Sequence, residues 1–142
     1  FDENLCSCVD WDMWLRVARI YRVRCVPEPL VRYFEHAGSI TSDPHRLVAG
    51  HEALWSKHGI LTASRGLRSY HYFKLGHTLC YRGHTAAGRA FLLKAFVTAP
   101  WNVQALVALA LQSMGPNLYH DFTFRVQLWH EKVVHGRPSV PP

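Results

Sequence analysis

No stretch of the 142-residue sequence approaches the ~20 consecutive apolar residues of a membrane-spanning helix, and no charged-then-apolar leader opens it. A helical membrane anchor and a secretory leader are therefore not expected. Cysteine is scarce, and Cys6, Cys8, Cys25 and Cys80 lack the paired spacing of a zinc knuckle, since Cys6 and Cys8 are separated by a single residue. They read as reduced, partly buried thiols. The histidines, at 36, 45, 51, 58, 71, 77, 84, 120, 130 and 135, are scattered, and none pairs with carboxylates at metal-site spacing. A Gly-rich phosphate loop is missing, and so is an initiator Met. The opening Phe1-Asp2-Glu3-Asn4 reads as the middle of a longer protein.

What is present suits a folded chain. Apolar residues make up 49% and aromatics 13%, which excludes compositional disorder and allows burial of roughly 68–70% of the unfolded surface. Sixteen Lys and Arg against ten Asp and Glu give a net charge of +6, which favours anionic partners such as nucleic acid, acidic lipid or diphosphate. No nucleic-acid motif and no basic strand pattern interleaved with aromatics occurs, so no nucleic-acid partner is expected.

Periodicity predicts a first helix over residues 10–21, where Trp11, Trp14, Leu15, Ala18 and Tyr21 make one apolar stripe and Arg16, Arg19 and Arg22 fall on another face. An aromatic stripe of this kind is more often core than a binding wall. Residues 23–26 and 30–34, separated by Pro27-Glu28-Pro29, read as two short strands or as a strand and an extended edge. Ser42-Asp43-Pro44 is a helix start and Gly59 a stop, giving a second helix over 44–58 whose Leu47, Val48, Leu54 and Trp55 would pack on a sheet.

Beyond a boundary at 59–68 the pattern is wholly helical: segments near 69–81, 85–98 and 102–114, then an amphipathic stretch over 118–134 and a disordered tail near 137–142. Tyr72, Leu75, Gly76, Leu79, Gly83, Ala95 and Pro100 resemble one tetratricopeptide-type repeat, with Gly88 where that pattern has Ala. The expected fold class is thus an α/β remnant over 1–58 followed by an all-α extension over 59–142, with a helical hairpin near 69–102, and mainly helical overall.

The ordered set Phe1-Asp2-Glu3, Asp10-Trp11-Asp12-Met13-Trp14-Leu15-Arg16, Pro27-Glu28-Pro29-Leu30-Val31, Arg32-Tyr33, and His36 with Ser39 resembles the end of the catalytic domain of family 2 glycosyltransferases, which have the GT-A fold. It covers about a third of the chain. The resemblance implies inverting transfer of a sugar from a nucleotide-sugar donor to the hydroxyl of a glycan or lipid-linked acceptor, in cell-surface glycan synthesis. It also implies a divalent Mg or Mn whose main ligands lie upstream, and a cytoplasmic setting at the inner membrane surface.

By that pattern Asp10 is the catalytic base and Asp12 supports it; His36 approaches the donor diphosphate or its metal, while Trp11 and Arg32 are candidates for acceptor or donor contacts. The hydroxyl must lose its proton as it attacks, so a positioned carboxylate is required, and one of ordinary acidity is already ionised at neutral pH. Helix capping by Asp10 and dipole stabilisation by Asp12 would explain both residues without catalysis. The family's Glu before the Asp is Val9 here, and its Arg two positions before the His is Phe34. The competing class is a helical module over 67–142 that recruits a partner, forms oligomers or touches an anionic membrane surface.

Overall fold

The structure, a computed structural model, describes residues 1–24, 26, 28, 30–32 and 42–135, the side chains of 116 and 127–135 excepted. The described residues are mainly helical, with α1 (Val9–Ala18), α2 (Pro44–Lys57), α3 (Arg65–Tyr81), α4 (Thr85–Thr98), α5 (Val103–Met114) and α6 (Pro116–His135). They contain no strand: Val23, Arg24, Val26 and residues 30–32 belong to no regular element. A strand exists only by pairing, and no partner strand lies among the described residues. His36, Ser39 and the 137–142 tail lie outside them. The chain divides into two compact units, Phe1–Ala63 and Ser64–Pro142.

In the first unit α2 starts as its sequence dictates. The Asp43 carboxylate accepts from the backbone N–H of His45 and Arg46, and Pro44 occupies the first turn, where its missing N–H costs nothing. Gly59, at φ 69°, closes the helix in the left-handed region that only glycine enters freely, and its N–H reaches the Ser56 carbonyl. A single 3₁₀ turn, Ile60–Thr62, follows. Leu47, Leu54, Trp55 and Ile60 are buried, with Leu54 wholly inaccessible.

α1 departs from expectation at both ends and along its face. Its N-cap is Cys8, in the left-handed region at φ 60°, and Asp10 sits one residue inside the helix rather than capping it. The apolar stripe is not core: Trp11, Trp14 and Tyr21 are 49%, 55% and 68% exposed, and the buried residue of the helix is Asp12. Its hydrogen-bonded attachment is made by Ser7, Cys8 and Asp12, beside a tilted ring contact of Trp11 with His51.

In the second unit α3 and α4 form a tight antiparallel hairpin. The turn between them is a Schellman motif, with Gly83 at φ 85°, its N–H on the Cys80 carbonyl and the His84 N–H on the Leu79 carbonyl. The helices cross at Gly76 and Gly88, where a β-carbon on Gly76 would lie 2.9 Å from the Gly88 carbonyl oxygen. At the other end of the hairpin, buried Ser69 donates to the Ala95 carbonyl at 2.7 Å and accepts from Asn102 Nδ2 at 2.8 Å. Asn102 Oδ1 also caps α5 through the Ala105 N–H, so one polar chain ties α3, α4 and α5. Cys80, Leu92, Ala108 and Tyr119 form a buried cluster, and the Tyr119 hydroxyl is hydrogen-bonded to His77 Nδ1.

Candidate functional site

The chemistry of the first unit is concentrated on α1, where two carboxylates two residues apart meet opposite surroundings. Asp10 is exposed, and its Oδ1 accepts from the Trp11 N–H at 2.9 Å. Asp12 is fully buried. Its oxygens accept from Arg16 Nε at 3.0 Å, Lys57 Nζ at 2.8 Å and His58 Nε2 at 2.9 Å. Arg16 reaches Asp12 from one turn on in the same helix, while Lys57 and His58 close the end of α2.

The electrostatics follow from those contacts. The Lys57 hydrogen bond above all, then that of His58, holds the Asp12 carboxyl down to about 2 against the upward push of burial. Lys57 also reaches Asp2, and the two carboxylates, Asp12 first, push its ammonium above the ordinary lysine range. An ionised carboxylate only accepts, so His58 Nε2 carries the proton; Nδ1 of the same ring is buried without a hydrogen-bond partner among the described residues.

A second attachment lies at the start of α1. Buried Ser7 donates to the Arg46 carbonyl at 2.9 Å, and Cys8 Sγ lies 3.3 Å from His51 Nδ1. Gly50 permits the approach, since a β-carbon there would fall 1.8 Å from Ser7 Oγ. Cys8 and His51 are the residue types of a nucleophile and base but are not arranged as one. His51 Nδ1–H donates to the Leu47 carbonyl at 2.9 Å, so the sulfur faces a proton and not a lone pair. Burial pushes the Cys8 thiol up and the His51 imidazole down, leaving both neutral near pH 7.

Of the residues singled out in sequence, Asp10, Trp11 and Arg32 are exposed, whereas Asp12 is buried and spent on cations. Asp10 and Asp12 do not converge on a common ligand. His36 lies outside the described residues, and among those described no group of three or more His, Cys, Asp or Glu fits a metal ion. No helix of the described residues is long and apolar enough to cross a membrane. No family model, curated protein or solved structure matches the chain.

Lys57 and His58 were not legible as partners of Asp12, because both lie more than forty residues away in sequence. Only Arg16 had a local signal, four residues beyond Asp12.

Proposed function

We propose that the chain is the C-terminal part of an inverting glycosyltransferase, with Asp10 as the base that deprotonates the acceptor hydroxyl. The observation that carries this reading is the division of labour between the carboxylates: Asp12 is buried and held by Arg16, Lys57 and His58, while Asp10 is exposed. In this reading the acceptor oxygen attacks the anomeric carbon and its proton passes to an Asp10 oxygen. The bond to the nucleoside diphosphate breaks with its electron pair leaving on the phosphate oxygen. Attack from the face opposite the leaving group inverts the anomeric centre.

The exposed Trp11 and Trp14 flank Asp10 and suit the apolar faces of a sugar ring, which stack on aromatics. Arg32 is an exposed cation available to an anionic donor. The α/β character of residues 1–58 belongs to this reading, its strands pairing with strands elsewhere in the enzyme. So do the nucleotide-sugar donor, the glycan or lipid-linked acceptor, cell-surface glycan synthesis and the cytoplasmic face of the membrane. The Mg or Mn that the reading requires has its main ligands outside the described residues, and His36 is its candidate contact here. Calorimetry tests the division of the site: residues 1–142 alone should show no tight sugar-nucleotide binding, and the complete enzyme should show it. Tight binding by residues 1–142 would contradict the proposal.

A second reading, a helical interaction or oligomerisation module, is favoured by the second unit. Val103, Leu106, Val107 and Met114 form an exposed apolar stripe on α5, opposite buried Ala105, Ala108 and Gln112, and Leu118, Phe122 and Val126 form another on α6. Sedimentation equilibrium distinguishes self-association from a monomer, and liposome flotation tests the membrane contact.

A further inference from the structure

We propose that α2 clamps α1 so that the Asp10 carboxylate is turned outward, with Gly50, His51, Lys57 and His58 as positioning residues. At 3.6 residues per turn, positions 8 and 12 fall on one side of α1, about 40° apart, and position 10 falls on the other. Both flanking positions are held by α2: Cys8 through His51, and Asp12 through Lys57 and His58. Ser7, one residue earlier, is bonded to Arg46 over the bare backbone of Gly50. Contacts spaced from Arg46 to the C-cap His58 of α2 thus engage the start of α1, from Ser7 just before it to Asp12 in the same order, so the two helices run in the same direction.

The polar character of the clamp is what fixes rotation. An apolar helix face tolerates small turns about its axis, because burial is non-directional. Hydrogen bonds to a buried carboxylate weaken steeply once their angles are lost. Trp11, Trp14 and Tyr21 are about half exposed or more and Met13, Leu15 and Val17 only partly buried, so the directional contacts that set the rotation of α1 are those of Ser7, Cys8 and Asp12. His58 is the most informative member: its side chain is 4% exposed, it cannot touch an acceptor, and among the described residues its one side-chain hydrogen bond goes to Asp12. The catalytic consequence rests on Asp10 being the base; the orientation does not.

Two measurements separate these levels. The first is site-resolved amide exchange on residues 1–142 carrying His58→Ala, His58→Gln or Gly50→Ala. The Ala variants should speed exchange in α1 about 10-fold while Leu54 and Trp55 of α2 keep their protection. His58→Gln, whose side-chain amide can still donate to Asp12, should stay near the parent. Unchanged exchange in α1, or equal acceleration in α1 and α2, overturns the clamp.

The second is turnover by the complete enzyme. There His58→Ala should lower kcat by about 10²-fold with the donor KM nearly unchanged, as misplacement of a reacting group does, and His58→Gln should restore most of it. Parental kcat in His58→Ala overturns the positioning role even if exchange in α1 has risen. A complete enzyme that transfers no sugar overturns the reading of Asp10, and the exchange result then decides the clamp by itself.

Discussion

Gly88 in α4 lies so close to Cys80 in α3 that a β-carbon on it would come within 2.3 Å of Cys80 Sγ and 2.8 Å of the Cys80 backbone nitrogen. This is the physical reason that glycine stands where the repeat pattern has Ala. Gly88→Ala should therefore destabilise the second unit by about 1–3 kcal/mol, although Ala is intrinsically the better helix former by about 1 kcal/mol. Adding Cys80→Ala removes the sulfur contact and leaves those with the Cys80 nitrogen and the Gly76 carbonyl oxygen, so the double variant should recover part of the loss. Urea denaturation checks both, and a Gly88→Ala protein as stable as the parent would contradict the crossing geometry.

Asp12 gives the first unit a defined acid response. Its carboxyl titrates near 2 when folded and near the ordinary 3.8 when unfolded. A group with a depressed folded pKa contributes stability in full above the unfolded value and loses it as the pH falls through the folded one. Replacing Asp12 by Asn should therefore cost most above about pH 5, with the gap to the parent narrowing from about pH 4 to pH 2. Denaturation followed by tryptophan fluorescence measures it; a gap that is the same at pH 6 and pH 2.5 would show that the Lys57 and His58 contacts do not hold the carboxylate.

The helix ends were legible because their signals are local. Asp43 before Pro44, Gly59, Gly83 and Asn102 each act within about four residues, and each does at its helix end what its side chain or its freedom at positive φ permits. α3 begins at Arg65, four residues before the expected 69, because Ser64 caps it and Gly66 in the first turn is tolerated where no full intrahelical ladder yet exists. The site was less legible. Asp12 reads as a first-turn helix acid, and nothing within a turn of it announces Lys57 or His58. The exposure of Trp11 and Trp14 was hidden for a different reason: periodicity shows which residues share a face, never whether another surface covers it.

Gln112 makes a prediction of the opposite sign. Its side chain is fully buried, and neither its amide nitrogen nor its oxygen has a hydrogen-bond partner among the described residues. A buried amide left unpaired costs about 1–3 kcal/mol, so Gln112→Met, of similar length and without that penalty, should raise the stability of the second unit. A lower melting temperature for Gln112→Met would show that the amide is satisfied.

In the proposed mechanism Asp10, exposed on the outer face of α1, takes the acceptor proton while Asp12 holds the helix. The direct measurement is sugar transfer by the complete enzyme carrying Asp10→Asn, beside calorimetric titration of the same protein with the sugar nucleotide. Donor affinity should stay close to that of the parent and transfer should fall by about 10²-fold or more, since Asn has the same shape and cannot accept the proton. Transfer at the parental rate by Asp10→Asn would contradict it and place the base on another residue.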